Sequence, residues 1–224
     1  MDQLPWDSDF FGVRVGRAVI PDESLESALS DAREQDVECL YLELSGAPPD
    51  AIEEAVRAGA RLVDLRTTLE RAEPIDEAPG DRVRRATAAD ATLLEAMARE
   101  LSAFSRFAAD PRIPTAKVEE MYEIWVRRCL AEGVVTVGTD GSGMVGVRIP
   151  ADGTLHVELV YVSPSAAGDG LGAELLVAAL TNAEGGATVV TQAWNVPALR
   201  LYESLRFRTR SLSAILHLWL SPER

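Results

Sequence analysis

Apolar and polar positions alternate along this chain in short blocks, and the period of each block assigns its element. Val13 to Ile20 alternates as a strand. Asp22 to Asp36 places Leu25, Ala28, Leu29 and Ala32 on one helical face, with Pro21-Asp22 as the start signal. Cys39 to Leu44 alternates again, Pro49-Asp50 opens a helix that runs to Ala58 before Gly59, and Arg61 to Arg71 is a further strand. Residues 73–81, EPIDEAPGD, break the pattern and read as a linker. Beyond it the spacing predicts a short strand at Val83–Ala86 and a helix from Thr87 and Asp90 to about Phe104. A proline-containing loop spans Ala108–Thr115, and a helix spans Lys117–Ala131. Val134–Gly138 and Met144–Ile149 form a hairpin around Asp140-Gly141. Then follow a strand at Leu155–Val162, a helix at Leu171–Glu184, a strand at Ala187–Gln192 and a helix at Pro197–Leu205. A long final strand or strand pair covers Arg208–Leu220. The fold class is α/β, with residues 1–79 as a smaller βαβαβ unit and residues 80–224 as a second α/β unit.

Composition narrows what such a chain does. Of 224 residues, 47% are hydrophobic and 26% charged, enough for a packed core. The net charge of −14 argues against nucleic acid as a partner, because a polyanion needs a basic patch. The acid is concentrated: residues 1–79 hold 19 acids and 7 bases, and residues 80–224 hold 17 and 15. An anionic ligand is therefore expected on the second unit. Cys39 and Cys129 are far apart and form no C-x-x-C pair, so no metal site is expected, and two free thiols are favoured over a disulfide. The start, MDQLPW, has neither a basic nor an apolar leader region, and no apolar run approaches a membrane span. The expectation is a cytoplasmic protein with no membrane partner.

Two segments carry chemistry. In LHVELVYVSPSAAGDGLGAELLVAAL a strand runs into a turn holding Gly168, Gly170 and Gly172, and a helix begins at once. Glycine permits positive φ and close backbone approach, and amides at a helix N-terminus attract anions such as a diphosphate. The spacing is neither the dinucleotide fingerprint nor a P-loop. A ligand-free glycine turn is the plain alternative. In TQAWNVPALRLYESLRF, Pro197 suits a first helical position after the cap Asn195. Asn195, Ala198 and Tyr202 share a face that reads as a groove wall with one proton donor, or as a packing face with a buried tyrosine.

Taken together, strand, V-x-P, G-x-G-x-G, helix, strand and N-x-x-A-x-x-x-Y-x-x-x-x-F resemble the GNAT superfamily of acyl-CoA-dependent N-acetyltransferases. The resemblance implies a splayed mixed sheet, opening between Leu155–Val162 and Ala187–Gln192. It implies acetyl-CoA as cosubstrate, its diphosphate on the amides of Gly168, Gly170, Gly172 and Ala173. The pantetheine arm would lie along Val160 to Val162, with Asn195 and Ala198 beside it and Tyr202 protonating the leaving thiolate. Three positions depart from the family: Ala167 where Arg or Gln is usual, Asp169 where a base is common, and Arg206 in place of a glycine. Over nearly the whole chain, LPWDSDFFGVRVGR, GARLVDLRTTLER, SRFAADPRIP and ILHLWL are similar to dTDP-fucosamine N-acetyltransferases and their two-domain relatives, in which a partial domain precedes the GNAT domain. That likeness implies a nucleotide-linked aminodeoxysugar as acceptor and is compatible with a homodimer.

The remaining candidates surround these motifs. Ser105, Arg106, Phe107, Asp110 and Arg112 could hold a substrate or form a local Arg–Asp pair. Trp6, Asp7, Phe10 and Phe11 form an aromatic knot that reads as packing. His156 and Glu158, two apart on the strand and on the face of Val160, are candidate general bases for a small-molecule amine. His217 reads as structural. The second function class is a catalytically weak module that binds an acyl-CoA or a partner without turnover.

Overall fold

The computed structural model describes residues 1–46, 49–150, 153–181 and 185–220. Its centre is one ten-stranded mixed sheet. The strands are β1 (Asp2–Gln3), β2 (Val15–Ile20), β3 (Cys39–Ser45), β4 (Arg61–Arg71), β5 (Val83–Arg85), β6 (Val135–Gly138), β7 (Gly143–Arg148), β8 (Leu155–Val162), β9 (Ala187–Gln192) and β10 (Arg208–Trp219). Their order is β1-β2-β3-β10-β4-β9-β8-β7-β6-β5. The helices are α1 (Pro5–Phe11), α2 (Leu25–Glu34), α3 (Pro49–Arg57), α4 (Ala91–Ser102), α5 (Thr115–Ala131), α6 (Leu171–Leu180) and α7 (Val196–Ser204). The end expected for α6 at Glu184 lies outside the described residues.

Local signals place most ends. Ser24 caps α2 by accepting from the Ser27 amide at 3.1 Å, which starts the helix three residues later than the Pro21-Asp22 signal suggested. Asp90 closes a capping box with Thr87 before α4. The seven residues of α1, expected only as an aromatic knot, form a helix closed by Gly12 at φ 69°. The final segment is one strand, not two, and it carries register shifts between Thr209 and Ser211 and between Ile215 and Leu216.

The segment 73–81 connects β4 to β5, and strands from both sides of it join the same sheet. β10 lies antiparallel between β3 and β4. Helices cover both faces. Ala28 and Ala32 of α2 and Ala55 of α3 pack on Leu40, Leu42, Leu216 and Leu218. Leu171, Leu175 and Leu176 of α6 pack with Val145, Val157 and Val189, joined by Tyr202 and Phe207 from α7 and its C-terminal turn. Leu94 and Met97 of α4 pack with Val126 and Cys129 of α5 on Val137, Met144 and Leu159. No helix among the described residues is long and apolar enough to cross a membrane.

The sheet is mixed and it parts. β8 and β9 run parallel and pair only at Leu155–Ala187, His156–Thr188 and Val157–Val189. Beyond them β9 continues beside β4 and β8 beside β7, so residues 158–162 turn one backbone edge to a gap. Two bulges flank it. In β8, Gly146 faces Leu159 and Val147 faces Val157, leaving Glu158 as the extra residue. In β4, Asp64 pairs with Ile215 and Leu62 with Leu216, leaving Val63 as the extra residue. A bulge reverses the in–out alternation beyond it. Val63 and Asp64 are accordingly both buried.

Candidate active site

The gap opens into a cavity of about 360 Å³. Strands β4, β8 and β9, the α4–α5 loop and α7 contribute its walls, including His156, Glu158, Val160, Asn195, Ala198, Tyr202, Arg106 and Phe107. The glycine turn lies at the far end of β8, where Gly168 and Gly170 take φ of 88° and 92°. Other residues adopt that region only at a cost of about 1–2 kcal/mol. A Cβ at Gly168 would meet nothing within 4 Å, so the turn is open to approach. Gly172 serves differently: a Cβ there would lie 3.0 Å from Leu201 and 3.5 Å from Val162, so this glycine seats α6 against α7 and β8.

Two details alter the expected anion site. The Ala173 amide bonds the Gly170 carbonyl at 3.0 Å, and the Leu171 amide is capped by Asp169 Oδ1 at 3.0 Å. Neither is left over for a ligand in this geometry, which puts the weight on the glycine amides. The cation at the loop is Arg82, which donates to Asp169 at 3.2 Å and to Glu174 at 2.9 and 2.5 Å. Arg82 is thus shared between Asp169 and Glu174, one cation against two carboxylates. Nothing in the sequence around it marks it for this place.

Tyr202 is 3% exposed, and its ring centroid lies 5.9 Å from that of Phe207. Burial raises its phenol pKa, so the hydroxyl stays protonated and able to donate. Asn195 caps α7 by accepting from the Ala198 amide at 3.2 Å. Its side-chain oxygen is thus spent on the helix.

The general-base candidates part company. His156 Nδ1 bonds the Thr188 hydroxyl at 2.7 Å across the short parallel ladder. Glu158 accepts from Trp125 Nε1 at 2.7 Å, Arg148 Nε at 2.7 Å and Arg128 Nη2 at 2.5 Å. Burial would raise its pKa, but these hydrogen bonds and charges hold it below the ordinary value. So bound, Glu158 is a poor proton acceptor. The bulge also breaks the shared face expected for His156, Glu158 and Val160. Glu158 meets α5, and Val160 packs with the α6 cluster.

In the α4–α5 loop the expected group of Ser105, Arg106, Phe107, Asp110 and Arg112 divides. Arg106 and Phe107 line the cavity, whereas Asp110, 2% exposed, does not. Asp110 Oδ2 accepts from His217 Nδ1 at 2.7 Å and Trp219 Nε1 at 2.9 Å. His217 Nε2 lies 3.1 Å from Arg106 Nη1, which can only donate. His217 is therefore the neutral tautomer with its proton on Nδ1. Its pKa is lowered by burial and by the Arg106 charge, against the pull of Asp110. Arg106 lies over the rings of Tyr41 and Phe107, at 4.3 and 4.2 Å from their centroids. The aromatic knot supports this stack, since Phe11 lies 5.7 Å from Phe107.

One wall was missed by the sequence reading. Asp64 and Arg66 of β4 line the cavity from the first unit of the chain. Asp64 is 6% exposed, and its Oδ1 has no hydrogen-bond partner. Burial raises its pKa, against the charges of Arg66 and Arg106. An unsatisfied buried polar atom costs about 1–3 kcal/mol, so its persistence asks for a reason. Cys39 and Cys129 are free and buried. Among the described residues no group of three or more His, Cys, Asp or Glu could hold a metal ion.

A parted mixed sheet, with a glycine turn and helix N-terminus at one end of the gap and a buried phenol along its side, defines an acetyltransferase. Residues 94–207, just over half of the chain, match the Acetyltransferase (GNAT) family, and the chain belongs to that family. Solved structures share the fold over most of its length. A GCN5-related N-acetyltransferase from Sphaerobacter thermophilus aligns with a TM-score of 0.56 at 16% identity, over 89% of this chain and 66% of that one. A functionally unknown conserved protein from Staphylococcus epidermidis aligns with a TM-score of 0.65 at 11% identity, over 92% of this chain and 83% of that one. A tandem GNAT protein from the clavulanic acid biosynthesis pathway aligns with a TM-score of 0.53 at 14% identity, over 87% of this chain and 68% of that one. At such identities the likeness is one of fold. No curated protein matches the sequence.

Proposed function

We propose that this protein transfers the acetyl group of acetyl-CoA directly to the primary amine of a small molecule. The observation that carries the reading is the parting of β8 from β9 after Val157–Val189, with the open glycine turn at one end and Tyr202 in the wall. The residues fit the cosubstrate. The free edge of β8 at Val160 and Val162 suits the amide-bearing arm. The turn at Gly168, Gly170 and Gly172 suits the diphosphate, with Arg82 beside it. Acetyl-CoA supplies the activated acetyl thioester. Tyr202 holds a proton ready for the departing thiolate, and His156 is the candidate to take one from the amine, directly or through water. Neither buried thiol lines the cavity, which supports transfer without a covalent enzyme step.

In this reading residues 80–224 are the acetyltransferase unit. Residues 1–79 are a smaller α/β unit, a partial copy of the same fold, that walls the acceptor side. Alignment over both halves with a tandem GNAT protein supports that view. The sequence likeness to the dTDP-fucosamine N-acetyltransferases supports a nucleotide-linked aminodeoxysugar as acceptor and a cytoplasmic setting. The test is a turnover screen with acetyl-CoA across nucleotide-linked amino sugars, amino acids, polyamines and aminoglycosides, with calorimetry for acetyl-CoA itself. Turnover of an amine confirms transfer. Tight acetyl-CoA binding with no turnover of any amine class favours the alternative, an acyl-CoA-binding module.

A further inference from the structure

We infer that the floor of the cavity is a receptor for a zwitterion: the acceptor is a primary amine that also bears a carboxylate or phosphate, its ammonium held by Asp64 and its anion by Arg106. The inference rests on the acetyl-transfer reading for the fate of the amine, but the receptor stands on two independent observations.

The first is Asp64. It lines the cavity from β4, it is 6% exposed, and its Oδ1 accepts no hydrogen bond. The bulge at Val63 is what turns it inward. Arg66 lines the same cavity but is paired with Glu43 at 3.5 Å. The second is Arg106. Among the described residues it forms no ion pair with a carboxylate. One of its nitrogens faces His217, and its Cζ lies over the rings of Tyr41 and Phe107. Asp110 fixes His217, so the guanidinium is positioned from behind while the cavity lies in front.

A partly buried cation and a buried carboxylate thus line one cavity without bonding each other. Each is unfavourable to bury unpaired. A ligand carrying the complementary pair satisfies both at once. A neutral amine would satisfy only Asp64, and a polyamine would set a second cation against Arg106. The other charged groups in the wall, Arg148 and Glu158, close on each other at 2.7 Å and ask for nothing. Carboxylate and phosphate are equally suited to a guanidinium, so the chemistry they share is what the receptor reads. The ammonium then falls to Asp64 of the acidic first unit and the anion to Arg106 of the second, the unit whose charge is nearly balanced.

Calorimetry on the full chain tests this with two matched pairs: alanine against alaninamide, and glucosamine 6-phosphate against glucosamine. In at least one pair the anionic member should bind tenfold or more tightly than its neutral partner, and which pair responds separates carboxylate from phosphate. Arg106→Gln should equalise that pair, Arg106→Lys should restore part of the preference, and Asp64→Asn should weaken both members at least tenfold. All three variants should keep acetyl-CoA affinity within threefold, which shows that they fold. No binding by either anionic probe, equal affinity within both pairs, or a preference that survives Arg106→Gln overturns the inference. Wild-type protein that binds the zwitterion but not acetyl-CoA would instead overturn the acetyl-transfer reading and leave the receptor standing.

Discussion

Tyr202 gains its proposed role from being dry. A buried phenol keeps its proton, and a proton positioned at a departing thiolate assists by roughly 10²–10⁴-fold. Tyr202→Phe should therefore lower kcat by about that factor with little change in acetyl-CoA affinity, because the ring still packs on Phe207. A loss under threefold, with chemistry shown to limit the rate, would assign the proton to water. Arg206 offers a test of backbone strain. It holds φ 63° after α7, at the position where the family pattern has glycine. Relief of about 1–2 kcal/mol of left-handed strain outweighs the roughly 0.5–1 kcal/mol that glycine loses in chain entropy. Arg206→Gly should thus raise stability by about 0.5–1 kcal/mol in urea unfolding, and a fall would show that the Arg206 side chain holds the turn. His217 gives a sign in pH. Its folded pKa lies below the unfolded value of about 6.5, so the unfolded chain takes up a proton that the folded chain refuses. Its contribution is fully present above pH 6.5 and is lost as pH falls below it. His217→Gln should flatten the decline in thermal stability between pH 6.5 and 5, measured against wild type.

Elements were legible where periodicity was local. Strands Arg61–Arg71, Leu155–Val162 and Ala187–Gln192 match their expected limits, because each is a short run of strand-forming residues between turn signals. The glycine turn and Tyr202 were legible because conformational freedom and a helix stripe leave marks in sequence. Bulges leave none. The extra residues at Glu158 and Val63 are visible only once partner strands are known, and they decide that Glu158 meets α5 and that Asp64 is buried. Arg82 and Asp64 escaped for the same reason: both act across pairings remote in sequence. The seat of α6 is a matter of element packing and has its own consequence. Gly172→Val should unfold the protein at a lower temperature by pushing α6 off Leu201 and Val162, before any effect on the diphosphate can be read. Gly170→Ala strains the turn at φ 92° but has room, so it should weaken acetyl-CoA binding in calorimetry with only about 1–2 kcal/mol lost in stability. Equal melting temperatures for Gly172→Val and wild type would contradict this division of labour.

At the scale of the whole molecule, the two halves of the sequence do not map onto two halves of space. One wall of the cavity comes from β4 and the α4–α5 loop, and β10 and then β3 lie beside β4 in the sheet. The twelve residues of β10 fill the place between β3 and β4, strands that precede it by well over a hundred residues. That has a meaning for synthesis. As the chain leaves the ribosome, β3 and β4 are made early and wait with bare facing edges until β10 emerges. Exposed edges of that kind recruit other strands. The sheet behind the cavity cannot close until β10 has been made. A chain ending before Arg208 should accumulate as aggregate in a solubility assay, and supplying 208–224 as a separate peptide during refolding should rescue part of it. The position of one strand thus ties the site to the order of synthesis: a ribosome that stalls before Arg208 holds a chain whose halves are both begun and neither of which is finished.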